Sequence, residues 1–182
     1  MNPNRRTSDS EKPAMLFAVG YGFMNRDKRL RGMLEEDRTI AVLLSAVHFE
    51  GTLKRSILAL GVSPTVSLRE RLSSTYRLPH ANSGKNDSPT VRDVWNEEVA
   101  THRKNAALGK VIANFPKCIQ EARATRGYII HGNGTVSKRR AEEAVTDYLA
   151  SARKLYDFCK RNKIDLDDRL KARKKRLRRV SA

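Results

Sequence analysis

An all-α fold, four or five helices packed as a bundle with a basic C-terminal extension, is what this 182-residue chain predicts. Three observations predict it. Apolar residues recur at three- and four-residue spacing along several long stretches. Clusters of Gly, Pro and Asn, which end helices, separate those stretches. No run of alternating apolar and polar residues reaches comparable strength, so no strand is expected.

Residues 1–14 are polar and are expected to be disordered. Met15 to Leu34 is compatible with a leading helix, interrupted around Gly20 and Gly22. The Gly-Tyr-Gly there is no phosphate loop, because no Gly-Lys-Ser/Thr follows it. Asp37 begins the first strong helix, with Ile40, Leu43, Leu44, Val47, Leu53, Ile57 and Leu60 as its apolar stripe, and Gly61 and Pro64 end it. Glu50 lies close to that stripe, either as a boundary residue reaching solvent or as a buried acid seeking a cation. Residues 65–73 suit a short helix, and Leu78 to Pro89 reads as a loop. Thr90 to Ala106 reads as helix with Val91, Val94, Trp95 and Val99 inward. Trp95 has no aromatic cluster around it and is read as a core anchor rather than a base-stacking platform.

A second break falls near Asn114-Phe-Pro116, with Pro116 suited to the first turn of a helix running to His131. Gly132-Asn133-Gly134 stops it. Ser137 opens the clearest helix, whose stripe is Ala141, Ala144, Val145, Tyr148, Ala152, Leu155, Tyr156 and Cys159. The helical domain is therefore assigned to 15–160 and a basic arm to 161–182. From Lys160 onward there are eleven Lys and Arg against three Asp. Arg169, Lys171, Arg173, Lys174, Lys175, Arg176, Arg178 and Arg179 leave no apolar face to bury. Asp165, Asp167 and Asp168 suit the positive N-terminal end of that segment.

Composition narrows the function. A net charge of +17 favours polyanionic partners, nucleic acid before an anionic membrane face. The arm would contact phosphates without reading sequence, and RNA is its expected partner. No run reaches the length of a membrane span, and the apolar stretch from Met15 to Met24 lacks a signal-peptide cleavage site. The two cysteines, Cys118 and Cys159, suit neither a zinc site nor a disulfide framework. No metal or cofactor is expected, and a reducing cytoplasm fits.

One stretch carries candidate chemistry: Arg126-Gly-Tyr-Ile-Ile-His131-Gly132. It sets a permanent cation and a group able to titrate near neutral pH five residues apart. With four His and 23 Arg in the chain, chance alone supplies such a spacing about four times in ten. Position gives it weight: the end of one helix, a glycine break, then the cleanest amphipathic helix of the chain. On an ideal helix the two residues diverge by roughly 140°. The length of the arginine, a bend near Gly127 or the stop at Gly132 would have to reconcile them. RNA carries its own nucleophile, the ribose 2′-OH. His131 suits the base, or the acid for the leaving 5′-oxygen, and Arg126 suits a phosphate clamp. One His cannot readily do both jobs, so a symmetric dimer would supply the second. The plain alternative is a surface arginine and a helix-capping histidine. Asn133 suits a donor to a phosphate oxygen or a simple turn residue. His48, His80 and His102 have no neighbours that suggest a triad or a metal set.

At these residues the chain resembles the HEPN superfamily. The resemblance rests on Arg126, His131 and Gly132, on the preceding helix from Asp37 to Lys54 with its acidic position Glu50, and on the trailing helix from Ala144 to Tyr156. It implies an all-helical, metal-independent endoribonuclease that dimerises so that two motifs line one cleft. It also implies a toxin or antiviral defence effector, with an antitoxin or other neutralising partner. Helix packing of that type would place Glu50 to orient Arg126. The family often has a polar residue after the Arg, where this chain has Gly127. One branch has Tyr two residues after the His, where this chain has Asn133.

Overall fold

The computed structural model describes residues 22–74, 90–113, 115–132 and 136–168. They form α1 (Phe23–Glu36), α2 (Arg38–Leu60), α3 (Thr65–Ser74), α4 (Val91–Trp95), α5 (Leu108–Val111), α6 (Phe115–Ile130) and α7 (Lys138–Arg161), with no strand among the described residues. The all-α expectation holds. No helix of these residues is long and apolar enough to cross a membrane.

Local chemistry sets the boundaries. Asp37 does two jobs: its backbone N–H ends α1 on the Met33 carbonyl at 2.8 Å, and its side chain accepts from the Ile40 N–H at 3.0 Å to open α2. Gly61 closes α2. Thr90 and Asp93 form a capping box that starts α4. Ser137 caps α7 through the Arg140 N–H. At the N-terminus of α1, Gly22 has no side chain to cap with. The Asp167 carboxylate, arriving from beyond α7, accepts the Phe23 N–H at 3.0 Å instead.

The longest helices carry the core. α2 packs along α7, with α1 and α6 on its flanks. Phe49 meets Tyr148 with ring centroids 5.8 Å apart, and farther along Ser56 bonds Cys159, so α2 and α7 run in the same direction. α6 and α7 form a hairpin, with the Arg140 guanidinium over the Tyr128 ring at 5.7 Å. Trp95, Tyr148, Phe49, Leu53, Ile57 and Leu155 are among the fully buried side chains, each large apolar one contributing about 1.5–3 kcal/mol of burial. Trp95 is the core anchor expected, and its Nε1–H donates to the Ala106 carbonyl at 2.7 Å.

Several expectations need correction. In α2, Leu53, Ile57 and Leu60 are buried as predicted, but Ile40 and Val47 are 41% and 46% exposed, and Leu43 and Leu44 are half-buried. The inward face of that half is Ala41, Val42, Ser45, Ala46 and Phe49. This half of α2 is apolar on nearly every side, so periodicity cannot choose a face, and the small residues allow the closer approach of neighbours. The helix expected to run to Ala106 stops earlier. After Trp95 the chain widens into a π-turn over Asn96–Ala100, with the Thr101 N–H on the Asn96 carbonyl at 3.0 Å. α5 had no counterpart in the sequence reading. The Asp167 carboxylate caps α1, a role its place before the basic segment does not indicate. Residues 1–14, the expected Leu78–Pro89 loop and the arm from Arg169 onward lie outside the described residues.

Candidate active site

Arg126 sits on α6 beside the row Phe115, Ile119, Ala122 and Thr125, which anchors that helix in the core. Glu50 sits on α2 beside buried Phe49. The two flanks meet, and Arg126 Nη1 donates to Glu50 Oε1 at 2.5 Å, each side chain 32% exposed. The sequence left Glu50 open between a solvent-facing acid and one seeking a cation; it is a half-exposed acid with its cation found. A pair this open to solvent adds at most about 1 kcal/mol of stability.

His131 stands at the other end of the motif. Its backbone N–H still bonds the Gly127 carbonyl at 3.0 Å, and Gly132 ends the helix with φ 68°, its N–H on the Ile129 carbonyl at 3.1 Å. α6 is thus regular across Gly127, where a Cβ would meet nothing within 4 Å. The bend that would reconcile the two residues is not there; the stop at Gly132 is. Arg126 turns toward α2, while the His131 side chain is exposed and bonds neither Arg126 nor Glu50 among the described residues. Asn133 lies outside the described residues, as do Arg169, Lys171, Arg173, Lys174, Lys175, Arg176, Arg178 and Arg179.

Two residues complete the neighbourhood. Tyr148 of α7 is fully buried, and its hydroxyl has no hydrogen-bond partner among the described residues. Burial pushes that phenol well above its ordinary range, with the Glu50 charge adding to the effect and those of Arg126 and Arg123 opposing it. Arg123 lies one turn before Arg126. Burial lowers its pKa, Tyr148 and Glu50 raise it, and Arg126 lowers it. The site therefore holds two guanidinium groups, one carboxylate and one buried phenol that stays protonated. Its chemical capacity is to bind an anion with oxygen acceptors at its open side. Sequence reading missed both residues as site members. Arg123 was findable, since three residues along a helix put it on the face of Arg126. Tyr148 was indistinguishable from the core stripe it also belongs to.

Among the described residues, the other titratable groups do not make a second site. His48 is buried, its two ring nitrogens lack partners among the described residues, and its pKa is pushed down to about 3 by burial and then by Arg26 and Arg55. It is a neutral core residue. His102 is exposed, and His80 lies outside the described residues. A cavity of about 510 Å³ opens between α6 and α7, but Glu121, Glu142, Glu143 and Asp147 outnumber Lys117 and Arg139 on its walls. Burial and the charges of Glu121 and Glu143 raise Asp147. Such a lining repels a polyanion. No cluster of His, Cys, Asp and Glu suited to a metal ion occurs among the described residues. No protein-family model, curated protein or solved structure matches the chain.

Proposed function

We propose that the chain is a metal-independent endoribonuclease of HEPN type, a cytoplasmic toxin or defence effector held in check by a neutralising partner. The observation that carries the reading is the Arg126–Glu50 pair on the α2–α6 seam, five residues before an exposed His131. Arg126 clamps the scissile phosphate. His131 accepts the 2′-OH proton or protonates the leaving 5′-oxygen. The new 2′-oxygen–phosphorus bond replaces the 5′-oxygen–phosphorus bond and leaves a cyclic phosphate. The +17 charge, concentrated toward the C-terminus, draws RNA to the site.

Within one chain the straight α6 keeps the two residues on different faces, which supports a homodimer in which each Arg126 works beside the partner copy's imidazole. The outward stripe of α2, exposed Ile40 and Val47 with half-buried Leu43, would give such a dimer an apolar seam one turn from Glu50. The test is RNA incubated with the purified protein in EDTA. Fragments with cyclic phosphate ends are expected, and His131→Ala should abolish them. Mixing inactive Arg126→Gln and His131→Ala proteins should restore part of the cleavage if the site is shared. Intact RNA, or a His131→Ala protein that cuts as well as the wild type, rejects the reading.

The same separation of His131 from Arg126 favours a second reading, a non-catalytic helical RNA-binding or regulatory protein. It expects salt-sensitive RNA binding that survives His131→Ala and is lost on deletion of 169–182. That truncation leaves Asp167 on α1.

A further inference from the structure

Fully buried, the Tyr148 hydroxyl has no acceptor among the described residues. An unsatisfied buried hydroxyl costs about 1–3 kcal/mol, and a phenylalanine would fill the same space without it. The ring already does the packing, against Phe49 at 5.8 Å. The hydroxyl is therefore a liability in this state of the molecule and needs a reason outside it. Its surroundings supply one. Tyr148 packs against the residue that precedes Glu50, and its hydroxyl lies within electrostatic reach of Glu50, Arg126 and Arg123. Glu50 is the acceptor among those three groups, and Arg126 occupies it at 2.5 Å.

We infer that Tyr148 is a positioning residue: when Arg126 turns from Glu50 to a substrate phosphate, the Tyr148 hydroxyl takes its place as hydrogen-bond donor to Glu50. The inference rests on the assignment of Arg126 as a phosphate clamp. Without such a donor, release of Arg126 would leave the half-buried Glu50 carboxylate facing the incoming phosphate with only water and Arg123 to offset it. With it, the carboxylate stays paired, and the orphaned hydroxyl is satisfied in the same movement. Arg126 is then tethered when the site is empty and freed at low cost when it is filled. The phenol suits the role because burial keeps its proton in place, so it always has a hydrogen to donate.

The test is titration of a nucleoside 3′-monophosphate into the full chain at fixed ionic strength, with Arg126→Gln setting the baseline for non-specific phosphate binding. Tyr148→Phe should bind about tenfold more weakly than wild type, the ratio expected for one lost hydrogen bond. Its melting temperature should be equal to or higher than that of the wild type. In a Glu50→Ala background the same substitution should leave affinity unchanged, a coupling that a purely structural tyrosine would not show. Tyr148→Phe binding as tightly as wild type overturns the inference and leaves the phosphate clamp standing, as does an equal loss in the Glu50→Ala background. Wild-type protein that binds no better than Arg126→Gln overturns both.

Discussion

Glu98 and Glu50 each hold an arginine from another helix, and they do so in opposite ways. Glu98, turned inward by the π-turn, is 2% exposed and accepts from the Ser63 N–H at 3.0 Å, the Ser63 hydroxyl at 2.8 Å and Arg71 Nη1 at 2.7 Å. Glu50 is one-third exposed and accepts one hydrogen bond, from Arg126, among the described residues. The first carboxylate is held by three donors, and moving one leaves a buried charge short of a hydrogen bond. The second has spare acceptor capacity, an open side and, within electrostatic reach, a hydroxyl with no partner among the described residues. Saturation marks a latch, and incomplete pairing marks a group that can exchange partners.

If that distinction is sound, the two arms separate under mutation. The largest effect is expected from Arg126→Gln, which should lower RNA cleavage by about 10²–10³-fold while shifting stability by less than about 1 kcal/mol. Single-turnover rates alongside a denaturant melt read both quantities. A large stability loss would make Arg126 a structural residue after all. Glu98→Ala should do the reverse. It removes the acceptor of the Ser63 N–H and hydroxyl, while Arg71 keeps Glu97, and should cost about 2–3 kcal/mol, with the cleavage rate unchanged at a temperature where the variant is folded.

Two smaller tests bear on the latch alone. A Cβ on Gly61 would lie 2.8 Å from both the Ile57 carbonyl oxygen and Leu68 Cδ1 and 3.4 Å from Glu98 Oε2. Gly61→Ala should therefore cost about 1–3 kcal/mol by overpacking, read as a lowered denaturation midpoint at constant slope. The second test uses acid. Burial pushes the Glu98 carboxyl up, but the Ser63 N–H and hydroxyl together with Arg71 outweigh it, and the net pKa falls below its ordinary value of 4.5. A depressed carboxyl contributes stability above the unfolded-state pKa and loses it as pH falls through the folded one. Below about pH 4.5 the wild type should lose stability more steeply than Glu98→Gln. Parallel acid curves for the two proteins would remove Glu98 from the latch.

The sequence revealed the two arms unequally, for physical reasons. Helix limits were legible where a side chain enforces them, as at Asp37, Thr90, Ser137 and Gly132. The amphipathic stripe of α7 was legible because its other face is charged. The inward face of α2 was not, because that helix touches neighbours on several sides and its first half is apolar almost all round. The π-turn was invisible. Glu97 and Glu98 look like surface residues, and only the one-residue widening turns Glu98 into the core. Arg126 and His131 could be singled out by position, and Glu50 by its place on an apolar helix. Tyr148 could not be, since an orphaned hydroxyl and a satisfied one have the same letter.

The smallest effect should come from Glu50→Gln, and it discriminates because it is small. The amide keeps the length and an acceptor oxygen but removes the charge, so Arg126 loses an ion pair and keeps a weaker hydrogen bond. At one-third exposure the stability cost should stay below about 1 kcal/mol, since water can replace the lost partner on both sides. The equivalent Glu98→Gln change should cost more, because no water reaches a carboxylate held by three donors. Affinity for a nucleoside 3′-monophosphate should move the other way: Arg126 is freed from its competing carboxylate, and phosphate should bind equally well or more tightly. A Glu50→Gln protein that melts as early as Glu98→Gln would make the two pairs alike. A Glu50→Gln protein that binds phosphate more weakly would mean Glu50 serves to aim Arg126 at its ligand rather than to hold it in reserve.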